Sequence, residues 1–485
     1  MKTNILSQFI LAGALLLTVA CTSGETTRQE QIKDSQDIKG LTAFVVEDNT
    51  TRTTGEYDGS GINFYWTEGD RLWVNNATLK QDVRNNISNV LVPNPTTTTG
   101  VKRAATAKFY FEGNFTAPSY PVRYTGKGST VGDKVIFKAT QNQPVANDAS
   151  HIGESGDCGI ATATKPVGSG KYNFTLEHKA SYLTLLPYST INFSTNVKLT
   201  QVKITADEAL SGQFNFDDNG INLGSRPTPT TTNRSITLTL NGGGTNGFTL
   251  PVAATPNTSA AIIVLPPGTY NNVSIEYSLY DRTSTKSAII KKEYATLTFT
   301  PGKNKKITTN LTMPVYITPM GPWNGTGPNS NETLWYLHKG DPHLDESSIY
   351  AARRAASLPA NICRGGVWIK KWRKIPGFSR YIGHDGVNHI GIINGVPNSG
   401  INYYEFPFPT GIPTNIKDYY FLPSVFPADN NEIKSYDGVI RYRMGTYYSS
   451  LKDQGQIFSA DVLPTPKIGI GTGPVSVIVA YWRKQ

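Results

Sequence analysis

The chain has 485 residues, room for two to four domains at roughly 150 residues each. Its formal net charge is +10 without a recognisable basic module, which argues against nucleic-acid binding and for a solvated, mildly basic surface. Three cysteines, Cys158 and Cys363 in separate parts of the chain beyond Cys21, argue against a disulfide framework, while 45 Gly, 30 Pro and 11% aromatic residues favour strands and turns over helices.

The first element is "FILAGALLLTVA", an apolar run behind Lys2 that ends in small residues, the layout of an export signal. It is too short to cross a bilayer, which takes about 20 such residues. Cys21 follows directly, in "VACTSGE", far from Cys158 and Cys363. The pair Ala20–Cys21 resembles the lipobox of bacterial lipoproteins, with Thr18 where a leucine usually stands and Leu17 one place earlier. The resemblance implies that residues 1–20 are a signal peptide and that Cys21 is acylated through sulfur, giving a lipid anchor in the outer membrane. An ordinary signal peptide with an incidental cysteine is the alternative.

Residues 21–40 carry no apolar periodicity and read as a tether. From 41 to 195 short strand signals recur. "LTAFVV" is one, and "GINFYW" with "DRLWV" reads as a hairpin around "TEGD". "ATAKFYFEG" alternates, with Ala105, Ala107, Phe109 and Phe111 on one face. "YNFTLEHKASYLTLLPY" and, after a composition break near 190–197, "VKLTQVKITA" continue the pattern. A second strand-rich set fills 196–313, including "SITLTLNGGG", "AAIIVLPPGTY" and "YATLTFTPGKNKKITTNLTM". "LPPGTY" and "TPGKN" place Pro and Gly at turn positions and are expected to close hairpins. Short strands at this spacing indicate β-sandwiches, so the fold class is mainly β, with two tandem sandwiches.

Residues 314–331, with "PMGPWNGTGPNSN", read as a linker that leaves few contacts between the segments on either side of it. The tail, 332–485, changes style. "DESSIYAARRAASL" is expected to be a helix with Asp345 and Glu346 complementing its dipole, and "VSVIVAYW" a closing strand, giving a domain of α+β type.

The sequence contains no H-E-x-x-H, G-x-S-x-G or P-loop, and neither an enzymatic activity nor a cofactor is expected. His384 and His389 flank Asp385 in "HDGVNH", which reads as hydrogen-bonded loop histidines in preference to a metal site. The basic-aromatic run "RGGVWIKKWRK" offers Trp368 and Trp372 for stacking on sugar rings or receptor aromatics. Lys370 and Arg373, with Arg364, Lys371 and Lys374, would meet anionic groups. The competing reading makes the tryptophans core and the cations a wet face.

Several pieces together resemble the fimbrillin family, the type V pilus subunits of Bacteroidales. They are the lipobox-like start, "TRTTGEYDGSGINFYWTEGDRLWV" with Trp66, Gly69 and Asp70, "FTLEHKASYLTL" around His178, and "LPPGTY" followed by "LTFTPGKNKKITTNL". The match covers roughly residues 1–313. In the tail, "YYFLPSVF" and "GTYYSS" resemble a pattern of Bacteroidetes surface domains with a C-type-lectin-like fold, with Tyr448 where that pattern has Trp. That fold can bind sugar through calcium, but no Glu-Pro-Asn, Gln-Pro-Asp or Trp-Asn-Asp element is present. The same fold also serves an oxidase that needs a cysteine pair, where this tail has Cys363 alone.

The fimbrillin resemblance implies a lipidated precursor that a protease cuts after an arginine, releasing the first strand so that a partner's strand fills the groove. Here the departing strand is "LTAFVV" and the arginine Arg52, with Arg28 in the tether as a rival site. The partners implied are other fimbrial subunits by donor-strand exchange, a host or bacterial surface glycan or protein, and the outer membrane before processing. Because the C-terminal part belongs to an appended domain, a tip or accessory position in the fimbrium is expected over a stalk position. The other reading is a permanently lipidated surface glycan-binding protein that does not polymerise.

Overall fold

A computed structural model describes residues 38–46, 54–94, 102–317, 330–353, 355–388, 401–404 and 408–424, and beyond these only short strands up to Tyr481. The chain is mainly β. No helix among the described residues is long and apolar enough to cross a membrane.

The first sheet takes its order from apolar alternation. β1 (Thr42–Val46) lies inside it, antiparallel to Ala107–Phe111 and parallel to Lys171–Asn173. Further along stand Gly159–Thr164, Ser119–Tyr124 and Trp73–Asn76. Ala107, Phe109 and Phe111 are buried on one face, as their alternation predicts, beside Phe44, Val46, Val122 and Tyr172.

The expected hairpin around "TEGD" does not form. β2 (Thr54–Tyr57) pairs with β3 (Ile62–Tyr65), and Trp73–Asn76 pairs with Thr78–Gln81. Local turn chemistry decides this. The Asp58 carboxylate accepts the Ser60 and Gly61 N–H groups at 2.8 and 2.7 Å, with Gly59 at φ +106°, so the tight reversal falls at "DGSG". At "TEGD" the Asp70 carboxylate accepts the Thr67 N–H at 2.7 Å and the Tyr124 hydroxyl at 2.7 Å, which ties the turn to a core strand.

The second sheet runs Ser235–Leu240, Val197–Thr205, Gly268–Asp281, Lys286–Phe299, and its charged edge "KKE" protects the last strand. Opposite lies a short sheet of Ala261–Leu265, Ser181–Tyr188 and Asn304–Asn310. "LPPG" and "TPGKN" therefore do not close hairpins. Each carries the chain from one sheet to the other, and Pro266 and Pro267 lack the N–H groups that would extend a ladder.

Ala261–Leu265 and nearly all of Ser181–Tyr188 are buried on both faces, which explains near-continuous apolar runs such as "AAIIVL". Leu183, Leu185, Ile263 and Leu265 point into one core with Val202, Ile204 and Ile275. Tyr182, Leu186, Ile262 and Val264 point into another with Phe137, Phe214 and Tyr57. Ser181–Tyr188, which precedes the composition break near 190–197, thus pairs with strands that come after it, as does Thr140–Gln143 with Ser235–Leu240.

The tail builds one sheet from Val315–Ile317, His343–Arg353, Asn361–Lys370 and Tyr419–Pro423. A second contains Ile401–Tyr404, Lys467–Pro474, Gln454–Asp461, Val439–Tyr447 and Ala480–Tyr481. Val315–Ile317 and the start of the helix Ser330–His338 lie in the segment read as linker. "DESSIYAARRAASL" is not a helix, and most of it lies in the strand His343–Arg353. Asp345 turns inward and accepts the Ser347 N–H at 2.7 Å, the Ser348 N–H at 3.2 Å and the Trp368 indole N–H at 2.9 Å. A bulge lies between Asp345 and Ile349, after which Tyr350, Ala351 and Ala352 are buried. Tertiary pairing outweighs the local helix preference.

The expectation of few contacts between the tail and the second sandwich is also overturned. Ala351, Ala360 and Ile362 belong to the same core as Leu199 and Leu279. The fully buried Asp281 carboxylate accepts the Asn361 side-chain amide at 3.0 Å and the Ile362 N–H at 2.8 Å.

Candidate functional site

β1 is short, but every link in its surroundings is specific. Phe44 has no exposed surface; its ring stacks on Tyr172 at 4.8 Å and meets Phe111 and Phe115 edge-on at 5.0 and 5.3 Å. Tyr172 is held in place by its hydroxyl, which donates to the carbonyl oxygens of Phe115 and Ala117 at 3.1 and 2.7 Å. Val46 is equally buried, two positions along on the same face. Each such side chain contributes on the order of 1.5–3 kcal/mol through its burial. Withdrawing β1 would leave a slot between two strands, with unpaired backbone on both sides and an aromatic pocket at its floor.

Arg52 falls between β1 and β2; with Cys21 and Arg28 it lies outside the described residues. The β2–β3 hairpin after it is anchored. Phe64 stacks on His178 at 3.9 Å, His178 Nδ1 lies 3.1 Å from the Asp157 carboxylate, and the Tyr182 hydroxyl donates to the same oxygen at 2.5 Å. Asp157 carries no sequence signal of this role, since its partners stand 21 and 25 positions away. Trp66 is fully buried against Phe109, so the residues of W-x-x-G-D are architectural.

In the tail the basic-aromatic run is tied to several neighbours. Trp368 is half-buried, with its indole N–H on Asp345 and its ring 4.8 Å from Phe421. Trp372 packs on Phe378 at 5.8 Å and carries the exposed Arg373 guanidinium 5.0 Å above its ring. Lys370 lies 3.5 Å from Asp341 and 5.6 Å from the Tyr419 ring, and Lys374 lies 3.3 Å from Asp418. Trp368→Ala is expected to lower the stability of the chain by about 2–3 kcal/mol, because ring packing and a hydrogen bond are lost together. Thermal unfolding checks this; an unchanged melting temperature would mean that the ring is held by little and is available for contact.

His384 stacks on His338 at 3.8 Å, and burial together with the neighbouring ring holds the His338 pKa down to about 4. His389 lies outside the described residues, among which no group of three metal-ligating side chains gathers.

Among solved structures, the chain is similar to a putative cell adhesion protein of Bacteroides fragilis, at 9% identity and TM-score 0.31, over 56% of this chain and 93% of that one. A putative cell adhesion protein of Bacteroides ovatus matches at 12% identity and TM-score 0.28, over 56% and 93%. A fimbrial protein of Bacteroides ovatus matches over 90% of this chain and 97% of its own, at 12% identity and TM-score 0.22. No family model and no curated protein matches the chain. Likeness this distant assigns no role by itself.

Proposed function

We propose that the chain is a non-enzymatic tip or accessory subunit of a type V fimbrium that mediates cell adhesion. The observation that carries this reading is β1, an interior strand whose aromatic pocket would remain once the strand leaves. Acylation at Cys21 would hold the precursor at the outer membrane, and a cut after Arg52 would free β1 without breaking the hairpin β2–β3. A strand from another subunit, apolar at alternate positions, would then complete the sheet, gaining backbone hydrogen bonds on both sides. Among the described residues every strand after Asn310 is paired within the tail's own sheets, which favours an end position over a stalk position. Trp368, Trp372, Lys370 and Arg373 are the tail residues proposed to meet a surface glycan or protein.

N-terminal sequencing of surface-extracted protein tests the cut. The wild-type chain is expected to begin at Thr53, and Arg52→Ala to retain β1 and stay out of fibres while folding normally. Normal incorporation of Arg52→Ala would move the cut, first to Arg28. Wild-type protein that keeps residues 22–52 would instead support a permanently anchored glycan-binding protein.

A further inference from the structure

A cleft in the first half of the chain is unconnected with either tail tryptophan. It comprises two adjoining cavities of about 570 and 500 Å³ that share Lys127, Lys138 and Glu154. Lys102 lines the first and Lys134 the second. Four lysines thus face two carboxylates, Glu68 and Glu154. Glu154 is matched to Lys127 at 3.2 Å, while Lys102, Lys134 and Lys138 form no ion pair among the described residues. Lys134 and Lys138 stand at even spacing, at the start of one strand and directly after its end, whereas Lys102 and Lys127 come from elsewhere in the chain, so the full arrangement is not legible in the sequence.

The lining also has a second character. No Phe, Tyr or Trp is among its described residues, so the cleft offers no platform for stacking a neutral sugar. It offers small polar groups instead, including Thr67, Asn142 and Ser150. His151, only 8% exposed, lines the same cavity. Its Nε2 donates to the Ile262 carbonyl at 3.0 Å, so Nδ1 carries a lone pair, and that atom has no hydrogen-bond partner among the described residues. A buried acceptor left without a donor is unusual in a folded protein.

We propose that this cleft binds an acidic oligosaccharide, one bearing carboxylate or sulfate groups. Lys102, Lys134 and Lys138 take the anionic groups, while Asn142 takes ring hydroxyls. Unpaired ammonium groups supply the charge-assisted hydrogen bonds that such groups make, and the cleft is large enough for more than one sugar unit. The proposal is independent of strand exchange and of the tail.

Calorimetric titration of the full chain tests it, using a sulfated heparin hexasaccharide, an oligogalacturonate, maltohexaose and inorganic sulfate as probes. Binding of one or both acidic oligosaccharides, weakening with added salt, is expected, with none for maltohexaose. The double variant K134S/K138S should weaken binding by about tenfold or more, and Asn142→Ala by less, with melting curves confirming that both fold. Inorganic sulfate binding as tightly as the oligosaccharides would reduce the cleft to a simple anion site and overturn the proposal. So would binding that K134S/K138S leaves unchanged, or an absence of binding by both acidic probes.

Discussion

Phe44→Ala is expected to destabilise the uncut chain by about 3–5 kcal/mol, the range for truncating a buried aromatic ring without collapse of its site. Collapse is resisted here because Tyr172, stacked on Phe44, is fixed by two hydrogen bonds to backbone carbonyls, and Phe111 and Phe115 belong to the same packed cluster. The measurement is the urea midpoint of the full chain, taken with the slope to confirm a single transition. The same substitution should hasten loss of β1 from protein cut at Arg52, since the ring is a main attachment that remains once the covalent link is gone. A loss below about 1 kcal/mol would mean that the pocket closes on itself and holds no stored vacancy for an incoming strand.

Asp281→Ala is expected to cost about 3 kcal/mol or more. The carboxylate accepts from the Thr283 N–H at 2.8 Å, the Asn361 amide and the Ile362 N–H, and both Asn361 and Ile362 are buried. Each buried donor left unpaired costs roughly 1–3 kcal/mol. Two further bonds cross the same junction, Ser194 N–H to the Ala360 carbonyl at 2.8 Å and Ala360 N–H to the Asn192 carbonyl at 2.7 Å. Deleting residues 319–485 should therefore harm the second sandwich, because Ala351, Ala360 and Ile362 leave its core. Calorimetry of the deletion variant gives the answer; a melting transition for the sandwiches equal to that of the full chain would show the tail to be an independent appendage.

Strands were legible wherever a short alternation met turn residues. "LTAFVV", "ATAKFYFEG" and "SITLTL" are strands because their apolar positions repeat every second residue. Partnership was less legible, because it depends on contacts remote in sequence. "TEGD" and "LPPG" have turn composition, yet the strands that flank them go to different partners. "DESSIYAARRAASL" misleads for a similar reason. Its helix preference is genuine, but Asp345 meets an indole 23 positions away and the segment is held between strands on either side. For the candidate sites, β1 was legible as a strand from its pattern, whereas the lysine cleft was not, since no motif spans residues 67–156.

β1 runs parallel to one neighbour and antiparallel to the other. A replacement strand entering in either orientation would meet one neighbour of each kind, so backbone hydrogen bonding alone hardly discriminates between the two directions. Under the proposed exchange, the polarity of an incoming strand would be read by its side chains. It would have to present an aromatic ring opposite Tyr172 and a branched apolar group two places away on the same face, in an order that fits in one direction only. The direction of each joint in a fibre built this way would be encoded in the order of two side chains.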